Sequence, residues 1–82
     1  MTQKKTSREE QFLYKLYELA LAKGDPQHEF DRYIVGSEVG ERTKGIDHTV
    51  QILTKNGLIK KTDEKLIQLT PFGVKFVREY LI

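Results

Sequence analysis

The chain has no cysteine and no tryptophan, one methionine and two prolines among its 82 residues. Without cysteine there is no disulfide to restrict the unfolded chain and no thiolate to hold a metal, so stability has to come from apolar burial. A domain of this length lies near the size at which one core only just suffices, and association between copies would be a further source of stability. No apolar run approaches the roughly 20 residues needed to cross a bilayer. The opening stretch MTQKKTSREEQ is polar and lacks the apolar segment of a signal peptide, so the expected location is the cytoplasm. The two histidines, His28 and His48, stand far apart and have no cysteine to complete a metal-ligand spacing. The acids Glu9, Glu10, Glu38 and Glu41 have no histidine, serine or lysine arranged with them for catalysis. VGSEVG has neither phosphate-loop nor dinucleotide-binding spacing. A protein that is not an enzyme, with no cofactor and no metal, is the expectation.

What the chain does have is enough apolar and aromatic residues for a folded globule, 38% and 10% respectively. Its net charge of +2 is small but unevenly spread. Lys4, Lys5 and Arg8 stand in residues 1–8 without an acid. Residues 25–43 hold Asp25, Glu29, Asp31, Glu38 and Glu41 against Arg32 and Arg42. Residues 44–65 hold Lys44, Lys55, Lys60, Lys61 and Lys65 against Asp47, Asp63 and Glu64. A basic start and a mildly basic centre are compatible with a polyanionic partner.

Ser7-Arg8-Glu9-Glu10 has the spacing of a capping box, in which serine and glutamate satisfy each other's free backbone N–H groups. A helix over about 8–23 follows, with Phe12, Leu16, Leu19 and Ala20 as its apolar stripe and Gly24 placed to end it. Pro26 disfavours helix at Asp25, so GDPQHEF reads as a loop. Phe30 to Ile34 reads either as a short strand or as the approach to the next helix. YIVGSEVGERTK reads as a second short helix with Val35 and Val39 inward, and Gly36 and Gly40 on one face would admit a close neighbour. A third helix is expected over 45–56. At about 100° per residue, Ile46, Val50, Leu53 and Gly57 fall along one line, with Asp47, His48, Gln51, Thr54 and Lys55 opposite. Gly57 ends it. LIKKT and LIQLT then make a two-stranded hairpin around Asp63-Glu64-Lys65. Thr70 caps a last helix whose first position is Pro71, where a missing N–H is harmless.

The run Val50, Leu53, Gly57, Leu58, Ile59, followed by a charged turn and then Leu69-Thr70-Pro71-x-Gly73, resembles the winged helix-turn-helix family. Similar endings occur in regulators of the multiple-antibiotic-resistance type and in many small prokaryotic transcription factors. The likeness covers roughly residues 33–77. It implies an α+β, mainly α fold: a three-helix core, a two-stranded β-hairpin wing over 58–69 and a C-terminal helix. On this reading residues 1–7 form a flexible basic tail and 8–82 a single domain. The resemblance also implies binding of double-stranded DNA, with the third helix in the major groove. Lys44, Asp47, His48 and Gln51 would face base edges, Lys55 would lie nearer the phosphates, and Lys60, Lys61 and Lys65 would sit on the wing. Glutamine can pair with adenine, and lysine supplies the salt-dependent phosphate contact.

Two features depart from the family pattern. The reading face has no arginine, the usual partner of guanine, and Asp47 stands in its middle, where it repels phosphate unless it accepts from a cytosine amino group. They leave a second reading open, a winged-helix module that binds protein instead of DNA. His48 can equally be a solvated side chain, as can His28, and the wing lysines can be a solvated edge that resists aggregation. On the last helix Phe72, Val74, Phe76, Val77, Tyr80 and Leu81 span about 200° of the wheel, twice a minimal stripe. Either the first and last helices pack together and hide this surplus, or Tyr14, Tyr17, Leu21, Val74, Val77 and Leu81 form a homodimer interface. A twofold dimer would place two reading helices about one DNA turn apart. Ile52 lies off the core line and is expected to pack under the wing.

Overall fold

The computed structural model of the protein describes residues 7–82. The expected basic tail, 1–7, lies outside these apart from Ser7. That serine caps α1 (Arg8–Ala22) as its spacing predicts: its hydroxyl accepts the Glu10 N–H and the Glu10 carboxylate accepts the Ser7 N–H, both at 3.1 Å. Gly24, at φ 89°, turns the chain away after the helix. Phe12, Leu13, Leu16, Tyr17 and Ala20 are buried on α1, so its inward face is wider than the expected stripe.

Both readings of Phe30–Ile34 hold, one after the other. β1 (Phe30–Asp31) is a two-residue strand, and α2 (Arg32–Glu38) starts directly after it, with the Asp31 carboxylate accepting the Tyr33 N–H at 2.8 Å. The helix stops at Glu38 and does not run on to Lys44 as expected. Gly40, at φ 77°, lies in the turn of residues 39–42, so Gly36 and Gly40 do not share a helix face. Gly36 alone gives the close approach, because a Cβ there would run into the Ile46 side chain. α3 (Thr43–Lys55) follows, starting two residues earlier than expected.

β2 (Ile59–Lys61) and β3 (Leu66–Leu69) form the expected antiparallel hairpin, with Ile59 opposite Leu69 and Lys61 opposite Ile67. The sheet is nevertheless three-stranded. β1 pairs with the far side of β3, Phe30 opposite Ile67, giving the order β1-β3-β2. Two residues are too few to show an alternating pattern, which is why the sequence left this strand undecided. α4 (Pro71–Phe76) continues into a wider π-helical turn, Val77–Leu81. The fold is thus α+β and mainly helical, with four helices and one antiparallel sheet among the described residues. Among the described residues no helix is long and apolar enough to cross a membrane.

Thr70 is the joint between hairpin and α4. Its hydroxyl accepts the Gly73 N–H at 2.9 Å and donates to the Gly57 carbonyl at 2.6 Å, while its own N–H reaches the Leu58 carbonyl at 3.1 Å. The start of α4 is thereby tied to the end of α3. Gly73 lies so close that a Cβ would collide with the Leu58 carbonyl oxygen, which explains glycine two residues after the proline.

The core also answers the question of the surplus apolar surface. Tyr17, Val74 and Val77 are buried within this one chain, at 6%, 9% and 0% exposure. The last helix packs on α1, and the Arg78 Nε donates to the Tyr17 hydroxyl at 3.1 Å with its guanidinium over the ring. These three residues are therefore not available to a second copy. Tyr14 and Leu81 are half-buried against the same core, and only Leu21 of the six is largely exposed. Ile52 is half-buried and borders a groove that α1, α3, Leu58 and α4 line.

Alanine at Gly73 should destabilise the fold by about 2–3 kcal/mol, the upper part of the usual ~1–3 kcal/mol range for overpacking, because the Leu58 carbonyl cannot rotate away. Gly36→Ala should lose less than half as much. The Ile46 side chain can move, and alanine regains about 1 kcal/mol of helix propensity. Urea unfolding midpoints at unchanged m-value measure both.

Candidate nucleic-acid interface

α3 is two-sided. Ile46, Val50 and Leu53 are in the core, while Lys44, Asp47, His48, Gln51 and Lys55 are all exposed on the outward side. Thr49 is buried and donates from its hydroxyl to the Glu41 carboxylate at 3.2 Å. Glu41 also meets the Arg8 Nε at 3.5 Å, which fastens the 39–42 turn to α1 and α3.

Because α3 begins at Thr43, its outward face has two further exposed residues, Thr43 and the N-cap Arg42. Sequence reading missed them by running the second helix through Lys44. The available signal was Gly40 followed by the polar Glu41-Arg42-Thr43, a turn-and-start composition. No side chain caps this N-terminus, so its first N–H groups keep their partial positive charge towards solvent.

Asp47 has a different setting from the one the resemblance implied. Its Oδ1 accepts the Tyr33 hydroxyl at 2.7 Å and lies 3.6 Å from the Arg32 guanidinium. Arg32 is only 7% exposed. Its Nη2 donates to the Glu64 carbonyl at 3.2 Å and its backbone N–H to the Lys65 carbonyl at 3.0 Å. One buried cation thus ties α3 through Asp47 to the turn of the hairpin. Asp47 is the only acid on α3, so with its charge matched from behind no unmatched negative charge remains on the helix.

On the hairpin, Lys60, Lys61 and Lys65 are exposed. Lys60 and Lys61 are neighbours on a strand and point to opposite faces, so they cannot share one phosphate. The turn between the strands is closed by the Thr62 N–H on the Leu66 carbonyl at 3.0 Å and by the Glu64 N–H on the Asp63 carboxylate at 2.7 Å. Among the described residues, Lys44, Lys55, Lys60, Lys61 and Lys65 take part in no ion pair. His48 is exposed, and His28 is exposed with its ring edge-on to Phe30.

Comparison with known protein families, curated proteins and solved structures finds no match to this chain.

The hydrogen bond to Asp47 is the main reason that the Tyr33 pKa lies above the ordinary 10.0, with burial and the Asp47 charge adding to it. The fold thus favours the neutral phenol, so its contribution is complete below pH 10.0 and is lost as pH rises through the raised value. In Asp47→Ala the Tyr33 titration, followed by tyrosinate absorbance, should return towards the ordinary value. That variant should also be less stable than Asp47→Asn, which keeps an acceptor for the phenol.

Proposed function

We propose that the chain is a winged helix-turn-helix domain that binds double-stranded DNA and serves as a transcriptional regulator. α3 is the reading helix and the β2–β3 hairpin is the wing. The observation that carries this reading is the state of the α3 surface: its cations are free and exposed, and its one acid is held by a buried arginine. The charge that weighed against DNA in the sequence is therefore offset.

The chemistry then divides by position. At about 1.5 Å per residue α3 is roughly 20 Å long, and a major groove about 12 Å wide admits one such helix. Arg42 and Lys44 at its start suit guanine edges or the nearby phosphates, and Gln51 in its middle suits adenine. His48 lies between them. Lys55 and the wing lysines Lys60, Lys61 and Lys65 contribute phosphate contacts, which set affinity and salt dependence and carry no sequence information. Arg42 supplies the arginine that the shorter helix expected from sequence lacked.

Fluorescence anisotropy with labelled duplexes over a range of salt tests the division. Lys60→Ala with Lys61→Ala should weaken all sequences alike and lower the slope of log K against log salt by up to about 1.8, or about 0.9 per phosphate contact. Gln51→Ala should change the sequence preference, and Arg42→Ala should lower discrimination at one position by about 1–3 kcal/mol. Absence of any salt-sensitive duplex binding by the unaltered chain would overturn the proposal in favour of a protein-binding module.

A further inference from the structure

Beside α3 the surface opens into a groove of 440 Å³ between α1, α3 and α4. Leu13 and Leu58 line it together with Ile52, Phe72 and Phe76. Phe72 is 56% exposed although Leu13 across the groove is fully buried. From Phe76 the apolar strip continues to Tyr80, whose ring lies 5.0 Å from that of Phe76 and which is itself largely exposed. A chain this short has few large apolar residues, so leaving Phe72 and Tyr80 exposed on either side of the half-buried Phe76 points to a contact face.

The position of α4 is set before any partner arrives. The three hydrogen bonds of Thr70 fix its first turn, and the Gly73 contact with the Leu58 carbonyl leaves no room for it to slide inward. A wall built in this way loses little freedom on binding. Among the described residues the rim carries charge of one sign: Glu9 and Glu10, from the first turn of α1, line it, and no lysine or arginine does.

We infer that this groove docks an amphipathic helix of a partner protein, with two or three large apolar side chains inserted and a lysine or arginine set against Glu9 and Glu10. Three helices form the walls, and among the described residues no strand residue lines the groove. An incoming strand therefore finds no ladder to extend, and recognition runs through side chains laid into the groove. The open exposure of Phe72 suits a helix laid along the surface, not a small ligand enclosed on all sides. The acidic rim requires a basic partner, since like charge at such a rim disfavours association. Ile52 and Asn56 border the groove from the flank of α3, while His48, Gln51 and Lys55 face solvent on its outward side. A docked helix therefore leaves the outward side open, and this site stands or falls independently of DNA binding.

Amide chemical-shift titration of the full chain with three synthetic peptides tests the inference. The first places leucines at i, i+3, i+4 and i+7 with arginines alongside; the second replaces the arginines with glutamates; the third scrambles the order of the first. The arginine peptide should give saturable shifts centred on Leu13, Ile52, Phe72 and Phe76, with affinity at least about tenfold above the glutamate peptide, the charge preference expected of an acidic rim. Glu9→Lys should remove that preference. Phe72→Asp, at an already exposed position, should abolish binding while leaving the thermal melt unchanged. Shifts centred elsewhere, no charge preference, no binding, or equal binding of the scrambled peptide would overturn the proposal. Concentration-dependent shifts at the same residues without peptide would overturn it as well, by assigning the groove to a second copy of this chain.

Discussion

The buried guanidinium of Arg32 holds together the parts of this molecule that matter most. A charge in that position is tolerable only with partners, and it has them on two elements: the Asp47 carboxylate of α3 and the Glu64 carbonyl of the hairpin turn. The Nε has no partner among the described residues, so the arrangement is not fully satisfied, which raises the importance of the bonds it does make. Because Arg32 is the first residue of α2 and its own N–H reaches the Lys65 carbonyl, the start of one helix fixes the hairpin turn and α3 together. The geometry between a helix and a hairpin, which neither could set alone, is thereby determined.

A second joint does the same for the other side of the molecule. Thr70 stitches the start of α4 to Gly57 and Leu58 at the end of α3, and the last helix then lies back across α1. Val74 of α4 and Val77 of the turn after it are spent within the chain, Phe76 is half-buried, and Phe72 and Tyr80 are turned outward. α3 lies between the two joints. It carries a core face, an exposed polar face and a flank along the groove. The DNA-binding proposal uses the polar face, and the partner-helix proposal uses the flank. Thirteen residues can serve three neighbours because an α-helix presents a new residue about every 100°.

Periodicity and terminal chemistry were legible in the sequence wherever the physics is local. The Ser7–Glu10 capping box, the core line of Ile46, Val50 and Leu53, the glycine stop at Gly57 and the Thr70-Pro71 start each depend on residues no more than two helical turns apart. The exposure of Lys44, His48, Gln51, Lys55 and the hairpin lysines followed from the same short-range pattern. The early stop of α2 was not read, because a glycine four residues after another fits a helix face as well as it fits a positive-φ turn. Arg42 was lost from the face by the same error.

The sequence by itself determined α1, α3, the β2–β3 hairpin and α4, and the apolar side of α1 and α3, since capping, propensity and period act over a single turn or pleat. Tertiary structure alone decided three further matters. It decided that β1 joins the sheet, that Asp47 is matched by Arg32 instead of standing bare on α3, and that the surplus apolar face of α4 divides between the core and an open groove. Each of these depends on groups at least 14 residues apart, as Tyr33 and Asp47 are. Pairing over such distances is settled by which arrangement satisfies a buried charge and fills a core, and no local pattern encodes that choice.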